Sequence, residues 1–119
     1  MIRIAINGFG RIGRNLFRLL LDHPTIEVVA INDIADTKTM AHLLKYDSIH
    51  GVLPFEVSYD EKGIIVDGKH FLFFHQKSIS NLDWKSTGID IVVESTGKHK
   101  TFEEINAHIL GGAKKVILS

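Results

Sequence analysis

At 119 residues the chain is long enough for one domain with one core, burying on the order of two thirds of its unfolded surface, and too short for a second lobe. Its 14 basic and 14 acidic residues cancel, and no basic cluster stands out, which argues against nucleic acid or an anionic membrane as the main partner. Cysteine is absent, which excludes disulfides, thiolate metal sites and a cysteine nucleophile from these residues; with no signal peptide and no apolar run near ~18 residues, a cytoplasmic protein is the expectation.

Ile2 to Ile6 is a short apolar run that reads as a strand. Gly8-Phe9-Gly10-Arg11-Ile12-Gly13 follows, and Ile12, Leu16, Leu19 and Leu20 then recur at helical spacing, so a glycine turn and a helix from about Gly10 to Asp22 are expected, ending before His23-Pro24. In a G-x-G-x-x-G turn one glycine permits the tight bend, the next lets a pyrophosphate approach the backbone, and the third lets helix and strand pack closely. Free N–H groups and the positive end of the helix dipole attract an anion there. The same triplet could also serve as a plain tight turn. Arg11 either belongs to the phosphate turn or merely solvates the helix start.

Ile26 to Asn32 is a second strand, β-branched enough to be covered on both faces. Asp33 comes at its end, twenty positions after Gly13, where a carboxylate can accept both ribose hydroxyls of an adenine nucleotide; a loop acid or helix cap is the plainer alternative. Two charges about 4 Å apart at an effective dielectric near 20 interact by roughly 4 kcal/mol, so a 2′-phosphate beside Asp33 would be opposed and NAD is favoured over NADP.

Asp36 is placed to cap a helix carrying Met40, Leu43 and Leu44 and reaching Tyr46. Val57 to Tyr59, Ile64 to Val66 and Lys69 to Phe74, separated by turns at 60–63 and 67–68, read as short antiparallel strands inserted around residues 55–75. The span 76–88 reads as loop with a turn of helix. Ile89 to Val93 returns as a buried strand and runs into Glu94-Ser95-Thr96-Gly97, either a turn that needs small residues or a cofactor-facing one. Thr101 to Leu110 fits a helix with Phe102, Ile105 and Ile109 on one face, stopped at Gly111-Gly112, and Val116 to Leu118 begins a last strand.

Alternating strands and helices imply an open, doubly wound α/β domain of the Rossmann type with a mostly parallel sheet. Ligands of such sheets bind beyond the carboxyl ends of strands, so Asn7-Gly8, Asn32-Asp33 and Ser95-Thr96-Gly97 are expected to face one crevice. His23, His42, His50, His70, His75, His99 and His108 lack zinc-like pairing and read as solvated or structural. Phe71, Phe73 and Phe74 read as packing residues, and Lys114-Lys115 as a solvated connection.

Five blocks carry a resemblance: Ile6-Asn7-Gly8-Phe9-Gly10-Arg11-Ile12-Gly13-Arg14, Asn32-Asp33, Ala41-His42-Leu43-Leu44-Lys45-Tyr46-Asp47-Ser48, Glu94-Ser95-Thr96-Gly97, and Gly112-Ala113-Lys114-Lys115-Val116-Ile117. Together they resemble the N-terminal, NAD-binding part of the glyceraldehyde-3-phosphate dehydrogenases, over the whole chain and in order. The erythrose-4-phosphate dehydrogenases are near relatives, but the forms at Asp33 and Glu94 to Gly97 are more similar to the former branch.

The resemblance implies a glycolytic, cytoplasmic oxidoreductase that is usually a homotetramer and that oxidises and phosphorylates glyceraldehyde 3-phosphate with NAD. It implies that Gly8, Phe9, Gly10 and Gly13 shape the turn, that Arg11 and Ile12 offer N–H groups to the pyrophosphate, and that Asp33 binds the adenosine ribose. Lys77 would lie near the adenine, Ser95, Thr96 and Gly97 would line the cleft, and Ser119 would lie beside the nicotinamide. Lys98-His99 departs from the less polar, often aromatic residues of many relatives. The family's catalytic cysteine and histidine lie beyond residue 119, so the resemblance implies an incomplete NAD-binding domain, 1–119, without the catalytic domain and inactive by itself, whose partners are NAD and the remaining catalytic part. A noncatalytic module that binds a nucleotide, or pairs its open edge at Val116 to Ser119 with another chain, is the reading from a different class.

Overall fold

The computed structural model describes residues 1–47, 49–98 and 101–119; Ser48 and His99, both named above, lie outside the described residues. In chain order the elements are β1 (Ile2–Asn7), α1 (Arg11–Leu20), β2 (Ile26–Asn32), α2 (Thr37–Lys45), β3 (Tyr46–Asp47), β4 (Gly51–Val52), β5 (Val57–Tyr59), β6 (Gly63–Val66), β7 (Lys69–Phe74), a 3-10 turn (Ile79–Asn81), β8 (Ile91–Glu94), α3 (Phe102–Leu110) and β9 (Lys115–Leu118). Seven strands form one sheet in the order β5-β6-β7-β2-β1-β8-β9, and β3 pairs with β4 in a small separate ribbon. β7, β2, β1, β8 and β9 are parallel, whereas β5, β6 and β7 form the expected antiparallel insertion.

This order has a consequence for ligands. From β1 the chain moves outward through β2 to β7, then returns to set β8 and β9 on the other side of β1. The strand order therefore reverses between β1 and β8, and ligands of such sheets bind beyond the carboxyl ends of the strands at this switch point.

Alternation along the strands divides the core in two. Ile4 and Ile6 join Phe17 of α1 and Met40, Ala41 and Leu44 of α2, together with Val28, Ile31, Phe71 and Phe73. Ala5, Ala30 and Val92 meet Leu82, Trp84, Ile89 and Ala113 in the second cluster. Both faces of the central strands are covered, as their β-branched runs require.

Two helices turn differently from the expected phase. On α1 the buried positions are Gly13 and Phe17, with Leu16 and Leu20 packed beside them, while Ile12 and Leu19 are exposed. The 13, 16, 17, 20 stripe has the helical period as well, and the tight packing at Gly13 selects it over the Ile12 stripe. On α3 His108 is the buried residue; Phe102 and Leu110 are more than four fifths exposed, because a polar partner described below draws His108 inward. The helix α1 is also shorter than expected, stopping at Leu20, after which the His23 Nδ1 atom accepts from the Thr25 and Ile26 amides (3.2 and 3.1 Å) around Pro24. Asp36 caps α2 as expected, accepting from Thr39 N at 2.7 Å. Ile89 precedes β8 rather than opening it, packing in the cluster around Trp84.

Candidate functional site

The glycine turn lies at the carboxyl end of β1, and its three glycines meet three different surroundings. Gly8 has φ +101°, and a Cβ there would sit 2.7 Å from Thr96 N, so the bend and the approach of the β8 loop both demand glycine. Gly13 is buried, and a Cβ on it would run into the Gly8 carbonyl oxygen at 2.2 Å. Gly10 is exposed, with no atom within 4 Å of where its Cβ would be. The middle glycine thus borders open space while the outer two are packed against protein.

That open space faces the start of α1. Gly10 is the N-cap residue and provides no side-chain oxygen, and the first turn holds no acidic residue. The N–H groups of such an end have no intrahelical partners and carry the positive pole of the helix. Arg11 and Ile12 are exposed beside it. Arg14 turns back instead, donating from Nη1 to the Phe9 carbonyl at 3.0 Å, and so braces the turn from below.

Asp33 follows β2 directly and is half-buried. Its Oδ2 accepts the Phe9 amide at 2.7 Å and its Oδ1 the Ala35 amide at 3.0 Å. An ionised carboxylate offers about four lone-pair positions, so two remain for a ligand's hydroxyl groups. Gly8 N in turn donates to Asn32 O at 2.8 Å, which locks the two strand ends side by side.

The third wall is the loop after β8. Ser95 N donates to Asn7 O at 2.8 Å, and Ser95 Oγ donates to Gly8 O at 2.7 Å. The Thr96 hydroxyl donates to Glu94 Oε2 at 2.7 Å and accepts from Lys98 N at 3.1 Å. Both side chains are therefore held by protein, and Gly97, exposed and with φ +73°, has nothing near it. The structure brings the three strand ends into contact, Phe9 with Asp33 and Gly8 with Ser95 and Thr96.

Lys77 and Ser119 stand farther out. Lys77 is exposed after β7, next to Gln76, whose backbone N and O are fastened to the Asn32 side chain at 2.8 and 2.9 Å, and it shares a groove with Ser78, Ile79, Glu103 and Ala107. Ser119 lies at the end of β9, its N–H donating to Glu94 O at 3.1 Å.

Beneath these strand ends is a polar cluster that the sequence did not disclose. Asn7, Asn32, Glu94 and His108 are all buried. Glu94 Oε1 accepts from Asn7 Nδ2 (2.6 Å) and His108 Nε2 (2.9 Å), and Oε2 accepts from Thr96 N (3.1 Å) and Oγ1 (2.7 Å). Burial pushes the Glu94 carboxyl up, but the bonds from His108, Thr96 and Asn7 outweigh it and hold the group below its ordinary value. The signal that could have found it is a lone acid closing an apolar strand, IVVE, which must be partnered if buried.

A family model described as the NAD binding domain of glyceraldehyde 3-phosphate dehydrogenase matches residues 2–102. The chain belongs to the glyceraldehyde-3-phosphate dehydrogenase family. It is 53% identical over its whole length to the glyceraldehyde-3-phosphate dehydrogenase of Thermotoga maritima, covering 36% of that protein. The glyceraldehyde-3-phosphate dehydrogenases of Geobacillus stearothermophilus (52% identical, 99% of this chain, 35% of the relative) and Coccidioides posadasii (48%, 100% and 36%) are similarly close. The chain thus spans about a third of the length of these relatives. What it carries is the NAD-binding domain of a glyceraldehyde-3-phosphate dehydrogenase, and the residues fit that cofactor: an uncapped helix end with room above Gly10 for an anion, and a carboxylate with acceptor capacity to spare. Among the described residues no cluster of side chains is suited to a metal, and no helix is long and apolar enough to cross a membrane.

Proposed function

We propose that NAD lies across the three strand ends, its pyrophosphate against the backbone of Gly10, Arg11 and Ile12, its adenosine ribose on Asp33, its adenine toward Lys77 and its nicotinamide half toward Ser95, Thr96, Gly97 and Ser119. The observation that carries this is the empty space above Gly10 at a helix end that the protein leaves uncapped. The backbone supplies donors to the phosphates without needing a lysine. Asp33, ionised, accepts ribose hydroxyls and repels a 2′-phosphate, so NAD is taken in preference to NADP.

In the whole enzyme bound NAD would supply the hydride acceptor for oxidation and phosphorylation of the aldehyde of glyceraldehyde 3-phosphate. That reaction needs a thiolate to add to the aldehyde, and a base to activate it. These 119 residues contain no cysteine, so the chain holds and orients the cofactor and does not turn substrate over by itself. The catalytic part of the enzyme is its partner, in a cytoplasmic homotetramer such as the family usually forms.

Isothermal titration of the chain with NAD tests the reading: saturable heat and a raised melting temperature are expected, with NADP at least tenfold weaker. At a hundredfold excess over Kd, binding would stabilise the fold by about 2.7 kcal/mol. No heat and no melting shift with millimolar NAD would overturn it.

One observation favours a second role. β9 ends the sheet, and Ile117 and Leu118 on it are about half exposed, 51% and 47%, as an edge that pairs with a further strand would be. Light scattering across a concentration series would show association if the pairing is between copies, and a constant monomer mass would exclude it.

A further inference from the structure

The hydrogen bonds around Glu94 all run in one direction. Asn32 Nδ2 donates to Asn7 Oδ1 (2.8 Å), and Asn7 Nδ2 donates to Glu94 (2.6 Å). Trp84 Nε1 donates to His108 Nδ1 (3.0 Å). An indole nitrogen can only donate, so His108 Nδ1 must accept, the proton of the ring sits on Nε2, and the 2.9 Å contact from Nε2 is a donation to Glu94 rather than an ion pair. Thr96 adds two more donors, N–H and Oγ1–H.

Four donors on two oxygens fill the capacity of an ionised carboxylate. A neutral amide in the same place would turn an NH2 group toward one of these donor pairs. The elements tied to this one group are β1 through Asn7, β2 through Asn32, the crevice loop through Thr96, and α3 through His108. Trp84, His108 and Glu94 are each at most 3% exposed, so water does not stand in for a lost partner.

We propose that Glu94 is a positioning residue for the cofactor: its negative charge, fixed through His108 and Trp84, sets the Asn7, Asn32 and Thr96 strand ends so that the crevice is formed before NAD arrives. Ligand binding then spends little on ordering these loops. Glu94 faces inward and acts through Thr96 and Asn7, without touching the cofactor itself. The inference rests on the reading of the crevice as the NAD site.

The test compares the parent chain, Glu94→Gln, and Val66→Ala, a buried position on β6 remote from the crevice that serves as a destabilised control. NAD affinity is measured by calorimetry well below the melting temperature of each, and backbone amides and histidine ring nitrogens are followed by 15N NMR without ligand. Glu94→Gln is expected to weaken NAD at least tenfold and to move the Thr96, Gly97 and Phe9 amides, while Val66→Ala leaves affinity and those amides unchanged. In the parent, the His108 nitrogens should show the Nε2–H form. If Glu94→Gln does not fold, Trp84→Phe is the second variant: loss of its donor should release the His108 tautomer, shift the Thr96 amide and weaken NAD by threefold or more. Parental binding with Glu94→Gln (or, in its place, Trp84→Phe) within twofold of the parent, or an equal loss in Val66→Ala, overturns the inference alone. A parent chain that takes no NAD overturns the crevice reading and the inference with it.

Discussion

Asp33 Oδ2 accepts the Phe9 amide at 2.7 Å, so the acid that ends β2 also holds the glycine turn that ends β1. Removing its carboxylate should therefore cost more than the proposed ribose contact alone. Asp33→Ala is expected to weaken NAD by ten- to a hundredfold, in line with about 1.5–3 kcal/mol for a hydrogen bond to a charged group. Asp33→Asn keeps an acceptor for Phe9 N and should lose less NAD affinity while narrowing the gap to NADP. Calorimetry with both cofactors decides this, and equal losses in the two variants would count against the bracing role.

Gly10 and Gly13 should respond in opposite ways. Gly10 has φ −74° and ψ −161° at the N-cap of α1, a conformation open to any residue, with free space around it. Gly10→Ser is expected to keep or slightly raise the melting temperature, since a serine hydroxyl caps a helix end as well as or better than glycine, by a few tenths of a kcal/mol. It should lower NAD affinity severely, because the same oxygen would occupy the place proposed for the pyrophosphate. Gly13→Ala should instead be unstable with or without NAD, its methyl meeting the Gly8 carbonyl at 2.2 Å. Thermal melts with and without NAD separate the two behaviours.

Acid should unfold the domain over a defined window. Asp47 is held down at about 2 by the His50 and Ile49 amides, Asp36 is lowered by Thr39, Asp60 by His70 and the Lys62 and Gly63 amides, and Asp90 by the Arg3 amide and Lys114. Glu94 is lowered as well, the bonds from His108, Thr96 and Asn7 prevailing over its burial. Each folded value lies below the ordinary 3.8 of Asp or 4.5 of Glu, so each group stabilises fully above that value and loses its contribution as pH falls through the folded one. The melting temperature should be insensitive to these groups above about pH 5 and drop between about 4.5 and 2, with Asp47→Asn flattening the lower end. Circular dichroism melts from pH 2 to 7 measure it.

His108→Ala would leave Trp84 Nε1 and one bond of Glu94 Oε1 unmet in a site closed to water. A loss of about 2–5 kcal/mol in urea unfolding is expected, from the orphaned polar groups and the cavity together. Leu110→Lys, on the same helix but 82% exposed, should change stability by less than about 0.5 kcal/mol.

The convergence of the three strand ends was legible from the sequence because its signals are local. The glycine spacing, the acid closing β2 and the small residues after β8 each belong to one short segment, and strand alternation was enough to bring them to one edge. The Glu94 cluster was not legible, because its partners come from β1, β2, the loop before β8 and α3, and no period in the chain couples Asn7 to His108. The phase of α3 departs from its hydrophobic pattern for the same reason: hydrophobicity marks Phe102 and Ile109 as the inner face, whereas the helix is turned by the hydrogen bonds of His108. On α1 two apolar stripes compete, and the contact of Gly13 with the Gly8 carbonyl decides between them only once the turn is folded. The small ribbon of β3 and β4 leaves no signal in the sequence, because two-residue strands have no alternation to read.

Gly8 admits Thr96 so closely that a methyl on it would meet the Thr96 backbone, and a methyl on Gly13 would meet the Gly8 carbonyl in the same way. The turn after β1 and the loop after β8 are thus one interlocked object, although 88 residues separate Gly8 from Thr96. A cofactor preference cannot be transplanted into this domain one loop at a time. An exchange of the segment after β2 that removes the Asp33 carboxylate takes the acceptor from Phe9 N, and any side chain placed at Gly8 meets the segment after β8. A recipient that takes all three strand ends together, with the buried acid beneath them, would keep these contacts intact.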